Sequence, residues 1–200
     1  MVVKSDKYLL NNPVAQSDTC IIVTSYSGHL MFLKNTLQRY KETGKYVICS
    51  YDSHGRMDIP NDIWEIPHAW TFKHQTYGAE KRLGWLWDII YASGIVGSFY
   101  FKYVVMVNGD TIWDKPSGIS DLINHLGYYD IASASSDSGV IHTCNAIWDA
   151  SAFLDFVEYI VDKLNRNIPE GYSPEVLLRD FVQENKLHNK IAPVQPIYPP

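Results

Sequence analysis

The sequence has few cysteines and no pattern that would join them into a structural site. Cys20, Cys49 and Cys144 are the only three, and they lie far apart. This spacing fits neither a disulfide framework nor a zinc site with paired thiolates, so it indicates a reducing compartment. The stretch MVVKSDKYLLNN contains no apolar run of signal-peptide length, and no run of about 18 apolar residues occurs anywhere. We therefore expect a cytoplasmic protein without a membrane span.

Several enzyme signatures are also missing. There is no Gly-x-x-x-x-Gly-Lys-Ser/Thr phosphate loop, no Gly-x-Gly-x-x-Gly turn and no Gly-x-Ser-x-Gly elbow, which argues against nucleotide hydrolysis, dinucleotide redox chemistry and serine hydrolysis. The seven histidines include no His-x-x-x-His pair, so a histidine zinc site is not indicated, and His142 and His188 remain candidate ligand contacts. The net charge of -5 and sequence pI of about 5.7 argue against a nucleic-acid partner.

The chain does have the length and the aromatic content of a well-packed domain. It contains 200 residues, of which 14% are aromatic, enough for one ample core. We expect a single domain over residues 1–200, with its core at about 19–183. The proline-rich tail, about 192–200, is expected to lie extended along the surface.

Strand and helix patterns alternate along most of the sequence. Val- and Ile-rich runs predict strands at 19–26, 45–52, 62–67, 103–108 and 128–135, the third of them ended by Pro67. Apolar residues at helical spacing predict helices at about 30–43, 76–93, 119–126 and 150–166, and one that begins near Ser173. This order predicts an α/β fold, a three-layer α/β/α sandwich with a mostly parallel central sheet.

Polar residues mark the ends of three predicted strands. In sheets of this kind, ligands bind beyond the carboxyl ends of the strands. The residues placed there are Thr24, Ser25 and Tyr26 on the first strand, Asp52 on the second, and Asn108 with Asp110 on the fourth. We expect these side chains to line one binding site.

The stretch KYVVMVNGDTIW sets a buried-looking strand directly before Asp110. Mg²⁺ and Mn²⁺ prefer oxygen ligands and commonly take one or two carboxylates, while a substrate diphosphate supplies others. Asp110 suits that role, Gly109 permits a close backbone approach, and Lys81 or Arg82 can neutralise the phosphates. Two simpler interpretations stay open: Asn-Gly-Asp is a plain turn, and at least one of the two cations is a solvated helix residue.

In this order, the motifs resemble those of glycosyltransferases with the GT-A fold, the nucleotide-diphospho-sugar transferase type. The resemblance covers about Thr19 to Gln183. It implies that the ends of the first two strands, IIVTSY and Asp52, hold the nucleoside, and that VVMVNGD occupies the place of the Asp-x-Asp motif that binds the cation. The chain departs from that motif at Asn108. The resemblance therefore leaves Asp110 as the metal ligand, assigns Asn108 to the ribose or sugar, and implies that cation affinity is weak or that the cation is dispensable.

The resemblance also nominates residues in the last third of the chain. The segment SSDSGVIHTCNAIW corresponds to the region that contacts the sugar and acceptor, which implies roles for Asp137, His142 and Asn145. The helix start SPEVLLRD resembles the acidic start that supplies the catalytic base of inverting members, so Glu175 is the first candidate base and Asp137 the second. A retaining enzyme would need neither. An acidic residue in a first helical turn also stabilises a helix without any catalytic duty.

We thus expect a glycosyltransferase that moves a sugar from a nucleoside-diphosphate sugar to a hydroxyl acceptor with Mn²⁺ or Mg²⁺. Trp113 and Trp148, near predicted strand-end loops, are candidates to stack on an acceptor sugar. One alternative is a sugar nucleotidyltransferase, although SYSGHLMFLKN lacks the Gly-rich basic loop expected after its first strand. The other is a non-catalytic nucleotide-sugar-binding or interaction protein, which the Asn108 departure favours.

Overall fold

The computed structural model describes residues 18–25, 29–52, 59–68, 84–113, 117–134, 141, 143–166, 174–193 and 196–197. The elements follow in the order β1 (Thr19–Ser25), α1 (Leu30–Glu42), β2 (Tyr46–Asp52), β3 (Trp64–His68), α2 (Gly84–Phe99), β4 (Tyr103–Asn108), β5 (Ile112–Trp113), α3 (Gly118–Leu126), β6 (Ile131–Ala134), β7 (Ala146–Asp149), α4 (Ala150–Asn165), α5 (Pro174–Asn185), β8 (Asn189–Ala192) and β9 (Pro196–Ile197). None of the helices in these ranges is long and apolar enough to cross a membrane.

Seven of the strands form one sheet in the order β3-β2-β1-β4-β7-β6-β8. β7 runs antiparallel to both β4 and β6, and the other neighbouring pairs are parallel. β1 lies near the middle, and all seven of its residues are buried, as expected for an apolar strand with a neighbour on each side. The predicted mostly parallel sheet is confirmed.

Helices cover both faces of this sheet. Successive side chains of a strand point to opposite faces, and β1 shows this directly. Cys20 and Ile22 join a core with α2, α4 and α5, whereas Ile21 and Val23 join a core with α1 and α3. The three-layer α/β/α arrangement predicted from the sequence is therefore confirmed.

Several predicted boundaries were wrong. The strand predicted from residue 128 begins at Ile131, and the one predicted from residue 62 begins at Trp64. β3 continues through Pro67 to His68, because it is the edge strand of the sheet and an edge position tolerates a residue without a backbone N–H. α2 continues to Phe99, six residues past the predicted end near Ser93, and is followed by Tyr100 with a left-handed φ of 54°. Its predicted start near Thr76 lies outside the described residues.

The C-terminal region contributes two strands that the sequence did not predict. β8 lies beside β6 and extends the sheet past the predicted core limit near residue 183. β9 pairs with β5, so that Pro196 is the partner of Trp113. This part of the tail is extended, as predicted, and it is hydrogen-bonded to the strand that follows the Asn-Gly-Asp turn.

Gly118 is expected to be essential for the packing of β5. A Cβ atom added there would lie 2.6 Å from Cβ and 2.8 Å from Cγ of Trp113. We expect Gly118→Ala to lower the free energy of unfolding by about 1–3 kcal/mol, the usual cost of overpacking, as measured by urea denaturation. Gly94→Ala is the matched control, because a Cβ at Gly94 meets nothing within 4 Å. Equal denaturation midpoints for wild type and Gly118→Ala would contradict this account.

Candidate functional site at the carboxyl edge of the sheet

The ends of β1 and β4 are joined by their last residues. Thr24 and Asn108 are Cα partners in the parallel pair, and the Thr24 hydroxyl donates a hydrogen bond of 3.1 Å to Oδ1 of Asn108. The backbone N–H of Gly109 donates to the carbonyl oxygen of Thr24 at 2.8 Å. The Asn-Gly-Asp turn is therefore fixed to the end of the neighbouring strand.

The turn is also held from the side of β7. The backbone N–H of Thr111 donates to the carbonyl of Asn108, and the Thr111 hydroxyl accepts from the Asn108 N–H at 3.3 Å and donates to Oδ1 of Asn145 at 3.0 Å. Asn145 has a left-handed φ of 62°, which asparagine adopts more readily than most residues. Its own N–H donates to the carbonyl of Met106 at 2.7 Å. Thr111 and Asn145 thus link the turn to the segment that enters β7.

Gly109 lets the turn pack closely against the start of α1. A Cβ atom at this position would lie 2.7 Å from Oγ of Ser25, 3.0 Å from Cδ1 of Leu33 and 3.1 Å from Nδ1 of His29. Carbon atoms do not approach side chains this closely without displacing them. Glycine is therefore the residue that this packing allows.

Asp110 follows in the turn, and its two carboxylate oxygens have different surroundings. Oδ2 lies 3.4 Å from Nε2 of His29. Oδ1 is buried and has no hydrogen-bond partner among the described residues, although 22% of the side chain as a whole is exposed. One oxygen thus contacts the imidazole, and the other has no hydrogen-bond partner in the described part of the chain.

Cys144 brings the start of α5 into the same neighbourhood. Burial raises the pKa of the Cys144 thiol to about 11, and the negative charge of Glu175 contributes to the increase, while a hydrogen bond with the Asn108 side chain partly offsets it. The Asp110 carboxylate raises the pKa as well. The Cys144 thiol therefore stays protonated at neutral pH, and of the three groups only Asn108 is hydrogen-bonded to it.

The structure assembles part of the predicted site. Thr24, Ser25 and Asn145 are almost fully buried at its base, with exposed fractions of 2%, 1% and 1%. Asp52 ends β2, one residue beyond Tyr51, the Cα partner of Ser25. The predicted site residues that lie outside the described residues are Tyr26, Lys81, Arg82, Asp137 and His142.

Two of the aromatic and histidine candidates were wrong. Trp148 is fully buried and stacks on Phe156 with ring centroids 5.1 Å apart, so it belongs to the core and cannot stack on a sugar. His188 contacts Asp130, which precedes β6, and therefore lies at the opposite edge of the sheet from Asn108. Trp113 is half-buried against the core of α1 and α3.

Three residues of the site were missed by the sequence analysis. Thr111 directly follows Asp110, so its place in the turn was a signal that could have been used. His29 and Cys144 lie far from Asp110 in the sequence, and no local pattern connects them. Only the pairing of β1 with β4, and of β4 with β7, brings them together.

The residues present fit a cation at Asp110. Among the described residues, no three His, Cys, Asp or Glu side chains form a metal cluster. The buried Oδ1 of Asp110, which lacks a partner in the described part of the chain, is a suitable oxygen donor. Mg²⁺ is commonly bound by one or two carboxylates together with substrate phosphates and water, and that is the arrangement this site allows.

Comparisons with known proteins support the fold. No family model and no curated protein matches the chain. A solved structure from Desulfovibrio desulfuricans G20, named as a nucleotide-diphospho-sugar transferase, aligns with a TM-score of 0.55 and 13% identity over 88% of this chain and 80% of its own. A homolog of Mycobacterium tuberculosis rv0371c from Mycobacterium sp. strain JC1 aligns with a TM-score of 0.57 and 12% identity over 88% and 85%. The chain thus shares the mixed α/β fold of these two solved structures.

Proposed function

We propose that this protein is a glycosyltransferase that moves a sugar from a nucleoside-diphosphate sugar to a hydroxyl acceptor. The observation that carries the proposal is the position of Asp110, which has a buried, unpartnered oxygen among the described residues and lies at the carboxyl edge of the sheet. Ligands bind at this edge in α/β sheets of this type. The fold of the neighbouring solved structures supports the same substrate class.

The donor would lie across the ends of β1, β2 and β4. In this proposal Tyr26 and Asp52 hold the nucleoside, and Lys81 or Arg82 neutralises the diphosphate. Asp110 holds Mn²⁺ or Mg²⁺, which would stabilise the charge that develops on the departing diphosphate. The buried side chains of Thr24, Ser25 and Asn145 would form the base of the site. His142 would contact the sugar or the acceptor.

Glu175 would act on the acceptor. Its carboxylate takes the proton of the acceptor hydroxyl while the acceptor oxygen bonds to the anomeric carbon, and the bond to the diphosphate oxygen breaks with its electron pair leaving on the diphosphate. The likeness of SPEVLLRD to the acidic helix start of inverting glycosyltransferases supports this role, and Glu175 is close enough to raise the pKa of Cys144. Asp137 is the second candidate base, and a retaining reaction would need neither carboxylate.

A second candidate function is nucleotide-sugar binding without catalysis. The observation that favours it is the side chain of Asn108, whose Oδ1 already accepts a hydrogen bond from Thr24. This residue stands where the resemblance leads us to expect a second carboxylate. A sugar nucleotidyltransferase is a third possibility, distinguished by its use of a nucleoside triphosphate and a sugar phosphate.

Thermal unfolding of the intact protein tests the proposal. A ligand at about 100 times its dissociation constant stabilises a protein by about 2.7 kcal/mol, which corresponds to roughly 5–10 °C for a chain of this size. We expect uridine or guanosine diphosphate with Mn²⁺ to raise the melting temperature by this amount, and Asp110→Asn to lose most of the increase.

Asp162→Asn is the matched control, because Asp162 is an exposed residue of α4 paired with Arg166. It should respond to nucleotide and Mn²⁺ as the wild type does. If no nucleoside diphosphate shifts the wild-type melting temperature, the proposal is wrong. A panel of radiolabelled donors then separates the candidates: sugar release or transfer supports the enzyme, and binding without turnover supports the non-catalytic protein.

A further inference from the structure

We infer that His29 is a positioning residue for the Asp110 carboxylate, an inference that rests on the proposed function. His29 immediately precedes α1, and its Nε2 atom lies 3.4 Å from Oδ2 of Asp110. The two side chains are largely covered, with exposed fractions of 11% and 22%. Their contact joins the start of α1 to the turn that follows β4.

The imidazole ring is not used to cap the helix. His29 occupies the N-cap position of α1, where a side chain often accepts a hydrogen bond from the first turn, but its side chain makes no such bond. The ring lies against the turn instead, with Nδ1 3.1 Å from the point where a Cβ on Gly109 would be. The absence of a side chain at Gly109 thus creates the space that the ring uses.

The contact with His29 gives the two Asp110 oxygens different roles in this proposal. Oδ2 faces the imidazole, and Oδ1 is buried without a hydrogen-bond partner in the described part of the chain. Carboxylates that bind metals are usually held by such second contacts, whose loss typically lowers metal affinity about 10–100-fold. His29 would hold one oxygen in place so that the other is presented to the cation.

A merely structural contact makes a different prediction. If His29 only filled space between α1 and the turn, any replacement would lower stability in proportion to the lost packing and leave cation affinity unchanged in the molecules that remain folded. A positioning role instead requires that the replacement side chain place an N–H donor at a similar distance from Oδ2 of Asp110. Glutamine can supply this donor, whereas alanine and phenylalanine cannot.

Mn²⁺ affinity is the readout that tests the inference. The intact protein is titrated with Mn²⁺ at saturating uridine or guanosine diphosphate, whichever raises the melting temperature more, and free Mn²⁺ is measured by electron paramagnetic resonance. We expect His29→Ala to weaken Mn²⁺ binding about 10–100-fold, and His29→Gln to recover most of the loss. If His29→Ala does not fold, His29→Phe replaces it, because phenylalanine keeps a planar ring at this position without a donor.

The chain offers a matched control. His188 also contacts an aspartate, with Nδ1 3.8 Å from Oδ2 of Asp130, but the pair lies at the opposite edge of the sheet and 81% of the histidine side chain is exposed. His188→Ala should bind Mn²⁺ as the wild type does. Equal Mn²⁺ affinity in the wild type and the donor-free His29 variant overturns the inference and leaves the proposed function standing. No binding of nucleotide or Mn²⁺ by the wild type overturns both.

Discussion

Glu175→Gln is expected to lower the turnover rate of sugar transfer by at least about 100-fold, the lower range of the contribution from general base catalysis. Glutamine has nearly the same shape but cannot accept the proton of the acceptor hydroxyl. Donor affinity should stay within about threefold of the wild type, because the proposed function places the donor mainly at the ends of β1, β2 and β4. Initial rates at saturating donor, together with donor titrations monitored by melting temperature, measure the two quantities separately.

Glu175→Gln must change the free energy of unfolding only slightly if the lost turnover is to be attributed to the missing base. Glu175 lies in the first turn of α5, where a negative charge contributes about 0.3–1 kcal/mol through the helix dipole. Glu184→Gln, in the last turn of the same helix, is the matched control, and it should transfer sugar at the wild-type rate. Transfer by Glu175→Gln within about threefold of the wild type would exclude Glu175 as the base. The anomeric configuration of the product, determined by nuclear magnetic resonance, would then decide between Asp137 and a retaining reaction.

Gly109→Ala is expected to remove most of the stabilisation by nucleotide and Mn²⁺ and to lower the free energy of unfolding by about 1–3 kcal/mol. The added methyl group would meet Oγ of Ser25 at 2.7 Å and Nδ1 of His29 at 3.1 Å. The Ser25 hydroxyl, the imidazole or the turn must move, and a shift of the imidazole or the turn displaces Asp110 relative to His29. Urea denaturation measures the free energy of unfolding, and the shift in melting temperature on adding nucleotide and Mn²⁺ measures ligand binding.

Gly97→Ala is the control for replacing a glycine by alanine where the added methyl group meets no neighbouring atom. A Cβ atom at Gly97 in α2 meets nothing within 4 Å, and alanine is preferred over glycine in a helix by roughly 0.5–1 kcal/mol. We therefore expect this variant to be slightly more stable than the wild type, with an unchanged response to nucleotide. If Gly109→Ala retained wild-type stability and response, the close packing of the turn would not be what places Asp110.

The fold could be predicted from the sequence where one element is long and its apolar pattern is clear. β1 and β4 are runs of Val and Ile, and α4 repeats its apolar residues at helical spacing. The short strands were not predictable in this way. β7 contains four residues and is followed directly by α4, so its pattern merges with that of the helix. β8 has three residues that are not buried, and it is a strand because the edge of β6 is available for pairing.

The candidate site was predictable only as far as it follows from strand ends. Thr24, Asn108 and Asp110 could be placed together because parallel strands finish at the same edge. The contact of His29 with Asp110 could not, since histidine carries no signal for such a position and its partner belongs to a distant segment. Trp148 shows the converse error: proximity to a loop in the sequence suggested an accessible ring, but the side chain points inward toward α4.

The hydrogen bond between Thr24 and Asn108 joins residues 84 positions apart. Contacts of such long sequence separation are slow to form, because a large loop must close before they contribute any energy. The first βαβ unit can pair β1 with β2 before these long-range contacts form. During refolding, secondary structure should therefore appear before the proposed capacity to bind nucleotide, and recovery of binding should follow the docking of β4 and β7 onto that earlier unit.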